Sequence, residues 1–406
     1  MLKLITNLIS LISSCFAINW LHISDIHVDM KYFPGSASEC ILFSKLGTNC
    51  CRFGDIPSNN SKPCSKWGNI HNDIPPLLFS SLMEWINNKS LNFDFIINTG
   101  DSGSHKDIEQ VISGDNLDSI NFVSETVNKY FPKKPVYNII GNHDSYPNVD
   151  QTFPGYKNFL NKVTQSWNKW INDKNMNNFG YYSKSINNTN IQIIAMNSLY
   201  YDSHNIFQVN STLKDKMETN LQFDWLENEF NISRINNKTV LFLNHIPLYG
   251  SESNNYMNNH LSKILKQNAD IIIANLYGHS HKSRFNLYKN SKDYIGFGLI
   301  NPSVYTDNDY PSFRIFSYND GILNFDEYFC NLNKIIKNDR FECEYSYNFL
   351  SEYNLNNINL ENLINLYENF KYSNEYFDKY LKHYSPPNYN KIKKIDYLQE
   401  IIVNYI

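Results

Sequence analysis

Apolar runs that end in reactive side chains are the feature that most limits the fold of this chain. Five of its short, β-rich runs stop at residues whose side chains bind cations or transfer protons. These residues are, in chain order, Asp25, His27, Asp101, Asn142, His143, Asp144, His245, His279 and His281. In open α/β sheets, ligand sites form beyond the carboxyl ends of the strands. We therefore expect residues spread over more than 250 positions to converge on one site.

Strand-like and helical segments alternate along the chain, as they do in α/β domains. The strand-like runs are residues 18–24, 93–100, 136–141, 191–198, 239–245, 270–278, 294–300 and 313–318. Residues 76–89 and 260–268 have helical periodicity. From about residue 332 the apolar residues recur at helical spacing, in 359–370 and 374–384, with no further strand-like run. We predict a catalytic domain over 18–331 and a helical C-terminal subdomain over 332–406.

The charge distribution excludes several classes of partner. The net charge of −4 includes no long run of one sign, so neither a nucleic-acid groove nor a polybasic membrane anchor is indicated. An apolar content of 42% excludes a disordered chain. We expect a globular monomer whose partner is a small molecule and not a nucleic acid polymer.

The N-terminus has the order of charge, apolar run and small residues that is typical of a secretory signal peptide. We interpret residues 1–17 as a removed signal peptide; a buried first strand or an uncleaved anchor is the alternative. The mature protein is then expected in the secretory pathway, outside the cell or in a lysosome-like or vacuole-like lumen. Sequons for N-glycosylation begin at Asn59, Asn88, Asn187, Asn210, Asn231 and Asn237.

Cysteine use agrees with an oxidising compartment. Once Cys15 is removed with the signal, the remaining cysteines are Cys40, Cys50, Cys51, Cys64, Cys330 and Cys343. Their even number is compatible with three disulfides. A zinc site is the rival interpretation, but the adjacency of Cys50 and Cys51 fits no usual C-x-x-C ligand spacing. We therefore favour disulfides.

Most of the residues at the strand ends have the chemistry of metal ligands. The candidates are carboxylates, an amide and imidazoles: Asp25, Asp101, Asn142, His27, His245, His279 and His281. Oxygen and neutral imidazole ligands together suit Zn, Mn or Fe better than Ca or Mg, and one tetrahedral ion does not accept seven ligands. Two metal ions are therefore indicated. A carboxylate such as Asp101 can bridge ions about 3.5 to 4 Å apart.

The order of the motifs DIH, GD, GNHD, NH and GHSH resembles that of the calcineurin-like, two-metal metallophosphoesterases. Further stretches narrow the resemblance to the acid sphingomyelinase-like phosphodiesterases: ECILFSKLGTNCCRF, KPCSKWG, GDSGSH, GNHDSYP, NNFGYYSKS and QFDWLE. The resemblance extends from about residue 20 to about residue 385. It implies an α/β fold, a four-layer sandwich of two β-sheets between helices, with a helical C-terminal subdomain.

The resemblance also implies roles for individual residues. One metal ion is expected on Asp25, His27, Asp101 and His281, and the other on Asp101, Asn142, His245 and His279. Disulfides Cys40–Cys50 and Cys51–Cys64 are expected from the resemblance. Cys330 and Cys343 are then expected to pair because they are the two cysteines that remain. Two family features are not expected in this chain: a saposin-like lipid-binding module before the catalytic domain, and a cysteine-rich C-terminal end.

The expected chemistry is hydrolysis by water and not by a side-chain nucleophile. Two cations lower the pKa of a shared water, so that a metal-bridging hydroxide exists near neutral pH and attacks phosphorus in line. The leaving alkoxide needs a proton, and a histidine is the natural donor. His143 and His105 are the candidates, with Asp144 as the group that orients His143. A solvated loop histidine is the alternative interpretation of His105.

We therefore predict a secreted phosphodiesterase with two divalent ions, most simply zinc, that cleaves phosphodiester or phosphoanhydride bonds. Its substrate is expected to be small: a nucleotide, a nucleotide-linked choline or a sphingomyelin-type lipid headgroup. Contact with a lipid surface is expected to be peripheral. Ser104 stands where purple acid phosphatases carry a tyrosine ligand, so a coloured iron centre is disfavoured. The alternatives are a catalytically silent secreted binding protein and an acid phosphomonoesterase.

Overall fold

The computed structural model describes residues 17–41, 50–105, 115–145, 156–205, 213–250, 252–290, 292–306, 309–384, 398 and 401–404. The interpretation of residues 1–17 as a signal peptide therefore lies outside the described residues, except for Ala17. Among the described helices, none combines the length and the apolar character that crossing a membrane requires.

The first sheet has six strands among the described residues, and its centre is parallel. In pairing order they are β12 (Glu344–Asn348), β11 (Ile322–Phe329), β10 (Ser312–Asn319), β1 (Ile18–Ile23), β2 (Phe95–Asn98) and β3 (Val136–Asn138). Strands β1, β2 and β3 are parallel, whereas β10 pairs antiparallel with β1. The residues that follow β1, β2 and β3 therefore leave the sheet at the same edge.

The second sheet has seven strands among the described residues. In pairing order they are β13 (Ile402–Asn404), β8 (Arg284–Lys289), β9 (Tyr294–Ile300), β7 (Ile272–Tyr277), β6 (Thr239–Leu243), β5 (Ile191–Ala195) and β4 (Tyr182–Ser185). Strands β5, β6, β7 and β9 are parallel, and β4 and β8 pair antiparallel with their neighbours β5 and β9. The carboxyl ends of β6 and β7 are thus neighbours too.

Helices surround the two sheets. They are α1 (Pro76–Asn88), α2 (Asp115–Tyr130), α3 (Tyr156–Trp167), α4 (Lys174–Phe179), α5 (Leu213–Ile235), α6 (Asn255–Gln267), α7 (Leu332–Asn338), α8 (Phe349–Tyr353), α9 (Leu360–Tyr372) and α10 (Asn374–Tyr384). Helix α1 shows how the sequence specifies such an element. It begins with a proline in its first turn, and its buried residues, including Leu78, Leu82 and Ile86, recur every four positions.

The alternation of side chains along each strand creates the layers. Trp20 and Phe95 of the first sheet join one buried cluster with Ile193 and Leu241 of the second sheet, so this cluster fills the space between the sheets. Leu21 and neighbouring residues face α1 and α2 on the other side of the first sheet. On the outer side of the second sheet, the apolar residues of β5 and β6 pack against α5 and α6. The expected four-layer α-β-β-α sandwich is confirmed.

The C-terminal part is mainly helical, as expected, but the expectation that it contains no strand is wrong. Residues 344–348 form β12 at the edge of the first sheet, and residues 402–404 pair with β8 of the second. An edge strand can stay half exposed, so the polar-rich segment EYSYN does not stand out as an apolar run. Tyr380 of α10 packs edge-on against Phe285 of β8. The domain boundary at residues 331 and 332 stays a prediction.

Three disulfides join the six cysteines in the expected pairs. They are Cys40–Cys50, Cys51–Cys64 and Cys330–Cys343. The first two close neighbouring turns of the long loop between β1 and α1, and the third fixes α7 beside the end of β11.

Trp20 offers a test of the layer between the sheets. Its ring is fully buried and stacks between Phe95 and Phe316, at centroid distances of 5.8 and 5.0 Å. We expect Trp20→Ala to lower the free energy of unfolding by about 3 to 5 kcal/mol, because it leaves a cavity in the core. Tyr372→Ala, at an exposed aromatic of α9, should change it by no more than about 0.5 kcal/mol. Denaturant titration measures both; equal losses would contradict the assignment.

Candidate metal centre and active site

Strand ends of the two sheets meet at one cavity, and five of the candidate site residues line it. The first sheet supplies residues that follow β1, β2 and β3, and the second sheet supplies residues that follow β6 and β7. The cavity measures about 290 Å³. Its lining is polar and consists of Asp101, His105, His143, Pro247, Gly250, Glu252, His279, Ser280, His281 and Arg284. The predicted convergence of distant strand ends is therefore present in the structure.

Four of the seven candidate ligands form a first group. Nε2 of His27 lies 3.1 Å from Nε2 of His281 and 3.7 Å from Oδ2 of Asp101. Nε2 of His281 lies 3.6 Å from Oδ1 of Asp25. Nδ1 of His27 donates to the carbonyl oxygen of Gly103 at 2.8 Å, which leaves Nε2 with the lone pair.

The second group shares Asp101 with the first. Nε2 of His245 lies 3.1 Å from Oδ2 of Asp101 and 2.9 Å from Oδ1 of Asn142. Nδ1 of His279 lies 3.1 Å from the same amide oxygen. His245 donates its Nδ1 proton to the carbonyl oxygen of Thr99 at 2.7 Å. The seven residues thus lie in the two groups that the resemblance implies, and the binding of two metal ions by these groups stays a prediction.

The arrangement fits two cations because hydrogen-bond acceptor atoms of the candidate ligands face one another. When His27 and His245 are neutral, the lone pairs on their Nε2 atoms point at other nitrogen and oxygen atoms that also accept. Oδ2 of Asp101 is buried and is the atom that both groups share; Nε2 of His245, 3.1 Å away, can donate to it only while that imidazole is protonated. Such an arrangement is costly unless positive charge lies between the acceptors. Divalent cations with nitrogen and oxygen ligands supply that charge.

Backbone strain is concentrated at the same residues. Five of the seven candidate ligands have left-handed backbone torsions that residues with a Cβ seldom adopt: Asp25 (φ 49°), His27 (φ 47°), Asp101 (φ 57°), His279 (φ 71°) and His281 (φ 60°). Each such residue costs on the order of 1 kcal/mol or more, and strain of this kind collects at functional sites. The chain therefore gives up stability to aim these side chains inward.

Two glycines allow the loops to approach so closely. A Cβ on Gly141 would lie 2.1 Å from Oδ1 of Asp101, and a Cβ on Gly278 would lie 2.1 Å from the Ser24 hydroxyl. Neither neighbour can move away without displacing a candidate ligand, since Ser24 donates to Asp25 at 2.5 Å. The glycines of GNHD and GHSH are thus required by close packing.

Burial and charge set the protonation of the groups. Burial lowers the pKa of His27 and His279 well below the usual value, so both are neutral as ligands must be. Burial also acts on His245, but its attraction to Asp101 and Asp25 outweighs it and raises the pKa of His245 to about 10. By themselves His245 and Asp101 form an ion pair, and metal binding requires the His245 proton to leave.

Asp144 has a different role from the one expected from the sequence. Its Oδ1 accepts from the backbone N–H groups of Ser102 and Gly103 at 2.8 and 3.0 Å. Its Oδ2 accepts from those of Asp101 and Gly141 at 3.0 and 2.8 Å. Because four amides occupy the carboxylate, it does not orient the ring of His143. Asp144 instead ties the loop after β2 to the loop after β3.

Of the two candidate proton donors, His105 is the one whose ring has a carboxylate partner. Its Nδ1 lies 2.7 Å from Oδ1 of Asp73, and its backbone N–H donates to Oδ2 of Asp73 at 2.7 Å. Its ring stacks on that of His27 and lies 4.3 Å from that of His143. Burial, followed by the nearby His105, lowers the pKa of His143 to about 3. Both histidines line the cavity.

Two acidic residues of the site were not predicted from the sequence. Asp73 lies 32 positions before its partner His105, in the loop ahead of α1. Glu252 lines the cavity, and its Oε2 lies 3.4 Å from Nε2 of His279. A proton on that nitrogen leaves Nδ1 of His279 as the ligand atom that faces Asn142. Only the frequent pairing of ligand histidines with carboxylates could have prompted a search for such residues.

Comparison with known proteins supports one family. The family model described as calcineurin-like phosphoesterase matches residues 18–283. The human protein named cyclic GMP-AMP phosphodiesterase SMPDL3A is 26% identical, over 88% of this chain and 82% of its own length. Sphingomyelin phosphodiesterase B of Dictyostelium discoideum is 27% identical, over 90% of this chain and 59% of its own length. Sphingomyelin phosphodiesterase 2 of Caenorhabditis elegans is 26% identical, over 93% and 66%.

Removal of the Asp144 carboxylate tests its structural role. Asp144→Ala leaves four buried N–H groups without their acceptor, and we expect the free energy of unfolding to fall by about 3 to 5 kcal/mol. Asp173→Ala is the control, because Asp173 also accepts from backbone amides, at the start of α4, and should cost about 1 kcal/mol. If both variants unfolded alike while only Asp144→Ala lost turnover, Asp144 would have a direct catalytic role instead.

Proposed function

The chain belongs to the calcineurin-like phosphoesterase family, and from this we propose that it is a secreted two-zinc phosphodiesterase acting on a small phosphorylated substrate. That it is a phosphoester hydrolase follows from the family and from relatives that are named phosphodiesterases. The observation that carries the rest of the proposal is the pair of facing ligand groups that share Oδ2 of Asp101.

In this proposal Asp101 would be a ligand of both metal ions. Asp25, His27 and His281 complete one metal site, and Asn142, His245 and His279 complete the other. Four imidazoles with oxygen ligands favour zinc over calcium or magnesium. Two bound cations supply Lewis acidity and an activated water for attack on phosphorus.

The protein side chains have two tasks around that water. His105 donates the proton that the leaving alkoxide needs, and Asp73 holds the His105 ring and stabilises its protonated form. The ring centroid of His143 is 4.3 Å from that of His105, so the two rings lie side by side. His143 donates a hydrogen bond to a phosphoryl oxygen. In this proposal His143 and His105 act as a pair on one side of the scissile bond, with the proton donor being His105 and not His143.

The substrate classes come from the names of the relatives. One relative is named for cyclic GMP-AMP and others for sphingomyelin, so the shared chemistry is a phosphodiester. We propose the same bond class for this chain, or the related phosphoanhydride. Parallel assays of a cyclic dinucleotide, ATP, CDP-choline, sphingomyelin and a phosphomonoester would identify the class; turnover of the phosphomonoester alone would contradict the proposal.

The proposed location is the secretory pathway, outside the cell or in a lysosome-like lumen. Three disulfides agree with an oxidising compartment. The described sequon asparagines are all exposed, where glycosylation would be sterically permitted: Asn59, Asn88, Asn187, Asn231 and Asn237. Treatment of protein from a eukaryotic secretory host with N-glycosidase should shift its mass; intracellular retention without glycan would contradict this location.

Metal content and turnover together test the proposed roles. Purified protein should contain two zinc ions per chain and cleave bis(p-nitrophenyl) phosphate. We expect Asn142→Ala to lose metal, because it removes a ligand, and to lose turnover with it. His143→Ala should keep both ions, while turnover falls about 10²- to 10³-fold because a hydrogen-bond donor to the phosphoryl oxygen is lost. Elemental analysis and initial rates measure these effects.

His71→Ala is the matched control, because His71 is an exposed loop histidine outside the cavity. It should keep both the metal and the rate. Full activity after exhaustive chelation, or in His143→Ala, would contradict the mechanism.

A further inference from the structure

A further group of side chains with the chemistry of metal ligands lies beside the cavity, partly at the end of β5, a strand that supplies none of the candidate site residues. Strand β5 is parallel to β6 and adjacent to it, so the loops after both strands open on the same edge of the sheet. Within the described residues, these loops bring together Asp202, His204 and Glu252, which we call the Asp202 cluster. One ligand atom of each lies within 4.8 Å of the other two. The spacing of Asp202 and His204 repeats that of Asp25 and His27.

Main-chain hydrogen bonds hold the two loops together at the Asp202 cluster. The N–H of Ser203 donates to the carbonyl oxygen of Glu252 at 2.7 Å. Asp202 forms an antiparallel bridge with Ser253. The turn that carries Glu252 is closed by a 3.1 Å hydrogen bond from the N–H of Ser253 to the carbonyl oxygen of Gly250. The backbone therefore presents the three side chains of the cluster together.

The distances around His204 are those between ligands of one ion and not those of hydrogen bonds. Nδ1 of His204 lies 3.6 Å from Oδ1 of Asp202 and 3.6 Å from Oε1 of Glu252. A separation of 3.6 Å is too long for a hydrogen bond. Nitrogen and oxygen ligands bind zinc at about 2.0 to 2.2 Å in tetrahedral geometry, which separates two ligand atoms by roughly 3.3 to 3.6 Å. A zinc ion therefore fits the separation of His204 from both carboxylates.

The burial of Asp202 also favours a bound cation. Its side chain is fully buried, and Oδ1 accepts from the N–H of His204 at 2.7 Å. The other carboxylate oxygen, Oδ2, has no hydrogen-bond partner among the described residues. Burial, with the charge of Glu252 added, raises the pKa of Asp202 to about 7. A buried acceptor without a donor is costly, and a cation beside the carboxylate offsets that cost.

Glu252 connects the Asp202 cluster to the candidate metal centre. Its Oε1 faces His204, and its Oε2 lies 3.4 Å from Nε2 of His279. Glu252 and Gly250 both line the cavity, so the segment that an ion would fix is part of the cavity wall. The side chain of His204 is 63% exposed, which gives an ion a path from solvent and allows water to complete its shell.

We propose that Asp202, His204 and Glu252 form a third cation site, for zinc, that fastens the loop after β5 to the wall of the cavity. An imidazole with two carboxylates matches zinc better than calcium or magnesium, which take oxygen ligands. Three protein ligands hold an ion less tightly than the two inner groups of four, so this ion exchanges with solvent and desalting removes it. The inference does not depend on the proposed function, because ion binding can be measured without catalysis.

Equilibrium dialysis of the desalted full chain against zinc, followed by elemental analysis, tests this site. We expect the protein to take up one ion per chain beyond those that it keeps through desalting. His204→Ala and Asp202→Asn should each lose that ion, because each removes a ligand, and Asp202→Asn still offers an acceptor to the His204 N–H. His71→Ala, which removes an exposed imidazole elsewhere, is the matched control and should keep the ion. Added zinc should raise the midpoint of thermal unfolding of the unmodified protein and His71→Ala alone.

The comparison between variants is independent of how many ions the inner groups hold. Equal uptake by the unmodified protein and His204→Ala overturns the proposal. A loss in His204→Ala with none in Asp202→Asn would mean an adventitious ion on an exposed histidine, which also overturns it. Glu252→Gln, at a partly exposed side chain, replaces Asp202→Asn in this comparison if the latter does not fold. Zinc uptake as expected, with no hydrolysis of any phosphodiester, would instead contradict the proposed function alone.

Discussion

The site depends on one buried carboxylate whose hydrogen-bond partners are main-chain N–H groups. Asp144 gathers the N–H groups of Asp101, Ser102, Gly103 and Gly141, and thereby fixes two loops against each other. Burial, with the charge of Asp101 added, raises the pKa of Asp144 to about 6, and the hydrogen bonds act in the opposite direction. Asp144 thereby fixes the backbone at or next to two of the candidate ligands, Asp101 and Asn142. The geometry of the site therefore depends on hydrogen bonds from the main chain to Asp144.

Each of the two sheets supplies the residues of one half of the site. Residues after β1, β2 and β3 meet residues after β6 and β7, and the loop after β9 connects the halves. In that loop the N–H of Tyr305 donates to the carbonyl oxygen of Asp25 at 2.9 Å, and the N–H of Ser303 to that of His281 at 3.3 Å. Strained torsions at both of these partners persist because such bonds surround them. Packing between the sheets therefore supports the strain at the ligands.

The strands could be predicted from the periodicity of apolar residues, and the candidate ligands from their positions at the ends of those strands. The candidate ligands from Asp25 to His281 follow apolar runs, so their convergence could be predicted from one sequence. Asp73 could not, because its contact with His105 arises from loop packing across 32 positions. Asp144 was misassigned because adjacency to His143 favoured a side-chain pair, whereas the turn directs its carboxylate toward Gly141 and the loop after β2. Strands such as β12 were missed because edge strands need only one apolar face.

The separation of the ligands along the chain has a topological consequence. His27 and His281 are 254 positions apart, yet their ring nitrogens lie 3.1 Å from each other. A cation held between them would close a loop of that length, whereas the disulfides span separations of only 10 and 13. In the chain-entropy treatment of cross-links, such a closure restricts the unfolded chain by on the order of 5 kcal/mol. The metal centre would then be a cross-link that closes a longer loop than any of the three disulfides. Loss of its ions would lower the free energy of unfolding as well as abolish turnover.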